Sequence, residues 1–224
     1  MVSDLVRQKN VYTFLSKDMG THALSIDAQV TQRIAQKGAG AVFTPADFLD
    51  LGSRNAVDLA LSRRARAGTI RKLGRGLYDT PRIDTSLGPL APSTDDVANA
   101  LRDRDGARLQ AAGAHAAHLL GLSDQVPVRA VFLTDGRSRT VRLGRRQIVL
   151  KHTTPKQMAT AGRISGTVIQ ALRWLGKRHV TSDTIAALRR RLSDADRQQL
   201  LHDIRYSPAW IAGVIRSLAS SQEV

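Results

Sequence analysis

The residues from Ala39 to Pro81 constrain this chain more than any others, because they hold two helix starts, two helix stops and a tight hairpin in immediate succession. Thr44-Pro45-Ala46-Asp47 opens a helix: a threonine caps free amides, proline fits the first helical position, and an aspartate favours the positive helix end. Phe48, Leu49 and Leu51 give this helix an apolar side, and Gly52 ends it. Ser53 then caps a second helix whose Val57, Ala60, Leu61 and Ala65 recur at helical spacing, and Gly68 stops it. After it come Thr69-Ile70-Arg71-Lys72-Leu73, a Gly74-Arg75-Gly76 turn and Leu77-Tyr78-Asp79, which is the pattern of a short hairpin.

Two helices joined through a glycine turn and followed by a hairpin spell a winged helix-turn-helix. At 100° per residue the second helix turns Asn55, Ser62, Arg63 and Arg66 away from Val57 and Leu61. Between Ser53 and Gly76, Arg54, Arg63, Arg64, Arg66, Arg71, Lys72 and Arg75 face Asp58 alone, a local balance of +6. That density beside a groove-sized helix is the footprint of a duplex-binding module. The candidate DNA-binding residues are Thr44, Ser53, Arg54, Asn55, Ser62, Arg63 and Arg66, with Arg71, Lys72 and Arg75 on the wing for phosphates or the minor groove. The competing reading is an arginine-rich solvated surface.

The 224 residues suffice for one large or two small domains, and two are expected. The net charge of +15 is spread along the whole chain, with 34 Lys and Arg against 19 Asp and Glu, so a polyanionic partner is the natural reading. Arginine dominates lysine, and glutamate occurs only at Glu223; part of that bias reflects coding composition, so the local excess weighs more than the global one. With no cysteine, disulfides and thiolate metal sites are excluded. No run approaches the ~20 apolar residues of a membrane span and the first residues lack a signal-peptide core, so a cytoplasmic protein with no membrane partner is expected.

Residues 1–24 read as an N-terminal arm with no sustained period, and Met19 is a plausible alternative start. Ile26, Val30, Ile34 and Ala35 mark an amphipathic helix closed by Gly38, so the DNA-binding domain is placed at residues 25–85. Pro81 to Pro92 holds three prolines and reads as a linker through which no sheet or helix passes. Residues 93–224 form an α+β domain. A helix capped by Ser93 or Thr94 starts it, with Asp95 and Asp96 at its favourable end. A strand or turn at Arg108-Leu109-Gln110 and a helix from Gly113 to Gly121 follow.

His115 and His118 share a side of that helix, but nothing nearby completes a metal site, so they read as packing residues and no metal is expected. Val126 to Leu133, Arg139 to Leu143 and Gln147 to His152 read as a three-stranded meander. Helices then run through Ile164–Leu175, Thr181–Arg191, Ser193–Arg205 and from Pro208, where Trp210 and Ile211 pack, and residues 219–224 fray. The expected fold is α+β: an N-terminal winged helix-turn-helix, then a domain with a small antiparallel sheet and a helical C-terminal part. Phosphate-binding, metalloprotease and nucleophile-elbow motifs are all missing, and the acids are dispersed, so neither an enzyme nor a cofactor is expected.

Gly68-Thr-Ile-Arg-Lys-Leu-Gly-Arg-Gly-Leu-Tyr78, Leu119-Leu-Gly-Leu122 and Val131-Phe-Leu-Thr-Asp-Gly-Arg-Ser-Arg-Thr-Val-Arg-Leu-Gly144 together resemble the AbiEi antitoxins of bacterial type IV toxin-antitoxin systems. The resemblance covers roughly residues 25–175. It implies a winged helix that binds repeats in its own promoter and represses the operon, and a C-terminal domain that counteracts a nucleotidyltransferase-like toxin. The candidate antitoxin surface is Arg137, Arg139, Arg142, Arg145, Arg146 and Lys151 on the expected sheet. The alternative is an adaptor whose basic sheet engages an acidic protein or RNA, without operator binding.

Overall fold

The computed structural model describes residues 24–220, so most of the arm and the last four residues lie outside the described part. Chain order begins with α1 (Ile26–Lys37), β1 (Val42–Phe43), a 3-10 turn (Pro45–Phe48) and α2 (Arg54–Arg66). Ser25 and Ser53 each accept a hydrogen bond from the backbone amide three residues on, so both α1 and α2 start on a side-chain cap. The expected helix after Thr44 is only that single 3-10 turn. Its Pro45 and Phe48 are buried, but Leu49 is exposed, so two inward residues rather than a continuing apolar stripe hold it. Val30, Ile34, Phe43, Phe48, Val57, Leu61, Ile70 and Tyr78 close a first core, with Phe43 edge-on to Phe48.

β2 (Arg71–Gly74) and β3 (Leu77–Asp79) form the expected hairpin, and Gly76 takes the positive φ of 62° that its turn requires. Local pattern did not reveal β1, which pairs antiparallel with β3 and places β3 in the middle of a three-stranded sheet. Strand alternation gives that sheet two packed faces. Phe43 and Tyr78 enter the first core, while Val42, Leu73 and Leu77 join the second, larger core of the chain.

The proline-rich segment is a further departure. β4 (Ile83–Asp84) and β5 (Gly88–Pro89) make a small hairpin there, whose turn is tied by Ser86 and Leu87 amides donating to the Asp84 carboxylate. Proline is tolerated because each strand is only two residues long and lies at an edge. The segment is also anchored at its ends, by Gly40 N–H to Thr80 O and by Arg71 to Leu90 O.

The larger core is built from α3 (Thr94–Asp105), β6 (Leu109–Ala112), α4 (Gly113–Leu119), β7 (Arg129–Thr134), β8 (Arg139–Leu143) and β9 (Arg146–His152). The expected three-stranded meander is a four-stranded sheet in the order β6-β7-β9-β8, with β7 and β9 parallel. β9 folds back between its two predecessors because Ile148 and Leu150 bury fully beside Ala130 and Phe132, whereas Val141 and Leu143 on β8 stay partly exposed and suit an edge. The β8–β9 pair is antiparallel as expected, and β6 adds a further antiparallel pair with β7.

α5 (Pro155–Met158) puts Met158 against Ala112 and Leu133 on the opposite face of the sheet. α6 (Ile164–Leu175), α7 (Ser182–Arg191), α8 (Asp194–His202) and α9 (Ala209–Ala219) close the C-terminal side. α6 and α8 are joined by the buried Asp203, which accepts hydrogen bonds from Ser165 and Gln199 and pairs with Arg163 at 3.1 Å. Burial pushes the Asp203 carboxyl up, but these partners and His202 outweigh it and hold the group below the usual carboxylate range. No described helix is long and apolar enough to cross a membrane.

Candidate nucleic-acid interface

α2 packs its Val57, Ala60 and Leu61 inward against α1, which leaves Asn55, Arg63 and Arg66 exposed on its outer side and Ser62 half-buried beside them. The charge on this helix is unequally available. Arg54 pairs with Asp58 one turn on at 2.9 Å, and Arg64 pairs with Asp27 of α1. Arg63 and Arg66 make no ion pair or side-chain hydrogen bond among the described residues. Asp27 lies far away in sequence, so counting charges along the helix could not separate the two classes. The α1 side is braced in the same way: Arg33 grips Asp50 through two hydrogen bonds of 2.5 and 2.8 Å, and Lys37 meets Asp47 at 3.0 Å.

Thr44 is not available to a ligand. It is fully buried, and its amide and hydroxyl both donate to the Asp47 carboxylate, so its place is under the 3-10 turn. Burial raises the Asp47 pKa, but Thr44 and Lys37 outweigh it and leave the carboxyl below its ordinary value. Ser53 is exposed, with its oxygen engaged as the cap of α2.

Arg71 is likewise engaged within the fold. Its Nε donates to Asp79 Oδ1 at 3.0 Å and its Nη2 to Asp79 Oδ2 at 2.5 Å, while Nη2 also reaches Leu90 O at 2.6 Å. Donation to Asp79 raises the guanidinium pKa more than partial burial lowers it. Register explains the commitment: Arg71 pairs with Asp79, and Asp79 with Val42, so all three share the sheet face that meets the larger core. Lys72 is opposite Tyr78, and Arg75 sits at the turn; both are exposed and neither has an ion pair among the described residues. The open cations of this region are therefore Arg63, Arg66, Lys72 and Arg75, placed on one helix and the neighbouring hairpin.

The basic strand residues do not share one face. Arg139 and Arg146 lie opposite Leu150 and Leu143, on the side turned to the larger core. Arg139 pairs with Asp105, and Arg146 lines a cleft with Asp79, Ser93 and Asp96. Arg142 and Lys151 are exposed on the other face, where the partner of Arg142 is Gln147 and the next strand supplies Arg129 to the same row. Arg137 and Arg145 are exposed in turns. Alternation along one strand was the right rule, but positions three apart point to opposite faces. Arg129, in the same exposed row, was missed because it stands alone at a strand start.

His115 is buried, within 3.0 Å of Asp95 and against the Phe132 ring, and His118 meets Ser123 O, so both are engaged in packing. Among the described residues no group of three or more His, Cys, Asp or Glu is placed to hold a metal ion.

Residues 29–200 match the model of DUF6088, a family of unknown function. No curated protein matches the chain. Among solved structures it is similar to the RV2827C protein from Mycobacterium tuberculosis, with 15% identity, coverage of 88% of this chain and 76% of that chain, and a TM-score of 0.45.

Proposed function

The chain belongs to DUF6088, a family of unknown function, and from its own surface we propose that it is a sequence-specific double-stranded-DNA-binding autorepressor whose N-terminal part is a winged helix-turn-helix. The observation that carries this reading is the set of unpaired, exposed side chains Asn55, Arg63 and Arg66 on α2 beside Lys72 and Arg75 on the β2–β3 hairpin. A helix fits the major groove, where asparagine pairs bidentately with adenine and arginine with guanine; a glycine-flanked arginine at a hairpin tip reaches phosphates or the minor groove. In this reading α2 reads bases, and the hairpin sets the register. The resemblance to AbiEi antitoxins extends the proposal to control of the protein's own promoter repeats and to antagonism of a nucleotidyltransferase-like toxin.

The test is retention of the upstream promoter DNA against a scrambled duplex of equal length. Asn55→Ala and Arg66→Ala should each narrow the difference between the two duplexes by ~1–3 kcal/mol. Unchanged affinity and selectivity in both variants would remove α2 from the groove. A basic-sheet adaptor is the second reading, favoured by the exposed row of Arg129 and Arg142 and by Lys151; it leaves promoter selectivity absent in the unaltered chain.

A further inference from the structure

Where the hairpin meets the larger domain, Leu73, Gly74, Arg75 and Leu77 face Leu101 and Arg104 of α3 and Arg139, Thr140, Val141 and Arg142 of β8 across a cleft of about 350 Å³. Arginines from three separate elements line it: Arg75 from the hairpin turn, Arg104 from α3, and Arg139 and Arg142 from opposite faces of the edge strand β8. The only described acid paired with any of them is Asp105, which bridges Arg104 at 3.0 Å and Arg139. Among the described residues Arg75 and Arg142 have no partner, and both are exposed, so the cleft keeps a positive excess. Its lining also includes Leu73, Leu77, Leu101 and Val141, of which Leu77 and Leu101 are essentially buried.

We propose that this cleft binds a nucleoside phosphate. Cations alone would suit any small anion, but the volume exceeds that of one phosphoryl group and falls in the range of small-molecule sites. The partly exposed Leu73 and Val141 offer nothing to a phosphate and suit the face of a flat ring, with Leu77 and Leu101 as the floor behind them. Arginine at the rim supplies bidentate donation to phosphoryl oxygens. Because Arg75 belongs to both the cleft and the hairpin tip, an occupied cleft draws that side chain from DNA; this last step rests on the DNA-binding reading above. Binding of one ligand then weakens the other by the same factor.

Calorimetric titration of the full chain with ATP, adenosine and inorganic phosphate tests the site without any DNA. Saturable ATP binding is expected, with adenosine and inorganic phosphate each about tenfold weaker or more, and with Arg75→Ala and Arg142→Ala each weakening ATP about tenfold. Both substitutions remove exposed, unpaired side chains, so the fold is not at stake. No saturable binding, equal binding of inorganic phosphate, or affinity untouched by both substitutions overturns the site. In a second arm ATP should lower the affinity for upstream DNA; a chain that binds both with no mutual effect overturns the coupling. A chain that binds no DNA defeats the DNA reading and leaves the calorimetric result to decide the cleft.

Discussion

Arg71 and Arg75 are four residues apart on one hairpin and have opposite fates. Arg71 is folded over the Asp79 carboxylate, whose side chain is 1% exposed, whereas Arg75 stands at a glycine turn with no partner among the described residues. The Arg71 side chain is 33% exposed but Asp79 is buried, so removing Arg71 strands a buried carboxylate at the rim of the core, at a cost of about 1–3 kcal/mol. Arg71→Ala should therefore lower the thermal midpoint sharply, while Arg75→Ala should change stability by less than about 0.5 kcal/mol. Equal melting curves for the two variants would contradict this division between a structural and a functional arginine. It also follows that lost DNA binding in Arg71→Ala reports folding, so Arg75 is the informative position.

At the scale of elements, close approach fixes where α6 sits on β6. A Cβ at Gly166 would lie 2.0 Å from Gln110 Oε1 and 2.5 Å from the backbone carbonyl of Thr160. The side chain could swing away, but the carbonyl cannot, so Gly166→Ala should cost about 1–3 kcal/mol in a denaturant titration. A neutral result would mean that the turn before α6 yields freely. Such contacts are invisible in sequence, where Gly166 reads only as a weak helix residue. What was legible was local. Ser53 does cap the helix it precedes, and Gly76 does turn the hairpin. What was not legible depends on distant partners: β1 is too short to carry a period, β9 enters between β7 and β8 through core burial, and Thr44 and Arg71 are removed from the candidate interface by Asp47 and Asp79.

Across the whole molecule, the sheet of the N-terminal part is shared. Leu77 is buried in the larger core, Val42 and Leu73 pack against it, and α3 lies on β1. The segment at residues 81–92 is pinned by Leu90 and Thr80, so it does not act as a free tether. A fragment of residues 90–224 should consequently expose the leucine-lined patch that Leu77 covers, and lose stability or associate, as seen by melting and by light scattering. A monomeric fragment as stable as the full chain would contradict the shared sheet. If antagonism of a toxin occurs, it should be assayed in the full chain with hairpin variants rather than by this cut. The central claim, that exposed cations on α2 and the hairpin hold duplex DNA, is tested most directly by the salt dependence of binding to the upstream promoter. The logarithm of affinity should fall linearly with the logarithm of salt, by about 0.9 for each phosphate neutralised, and Arg75→Ala should shrink that slope by about 0.9 while leaving sequence preference intact. A flat line for the unaltered chain, or a slope unmoved in Arg75→Ala with base preference changed, would contradict it.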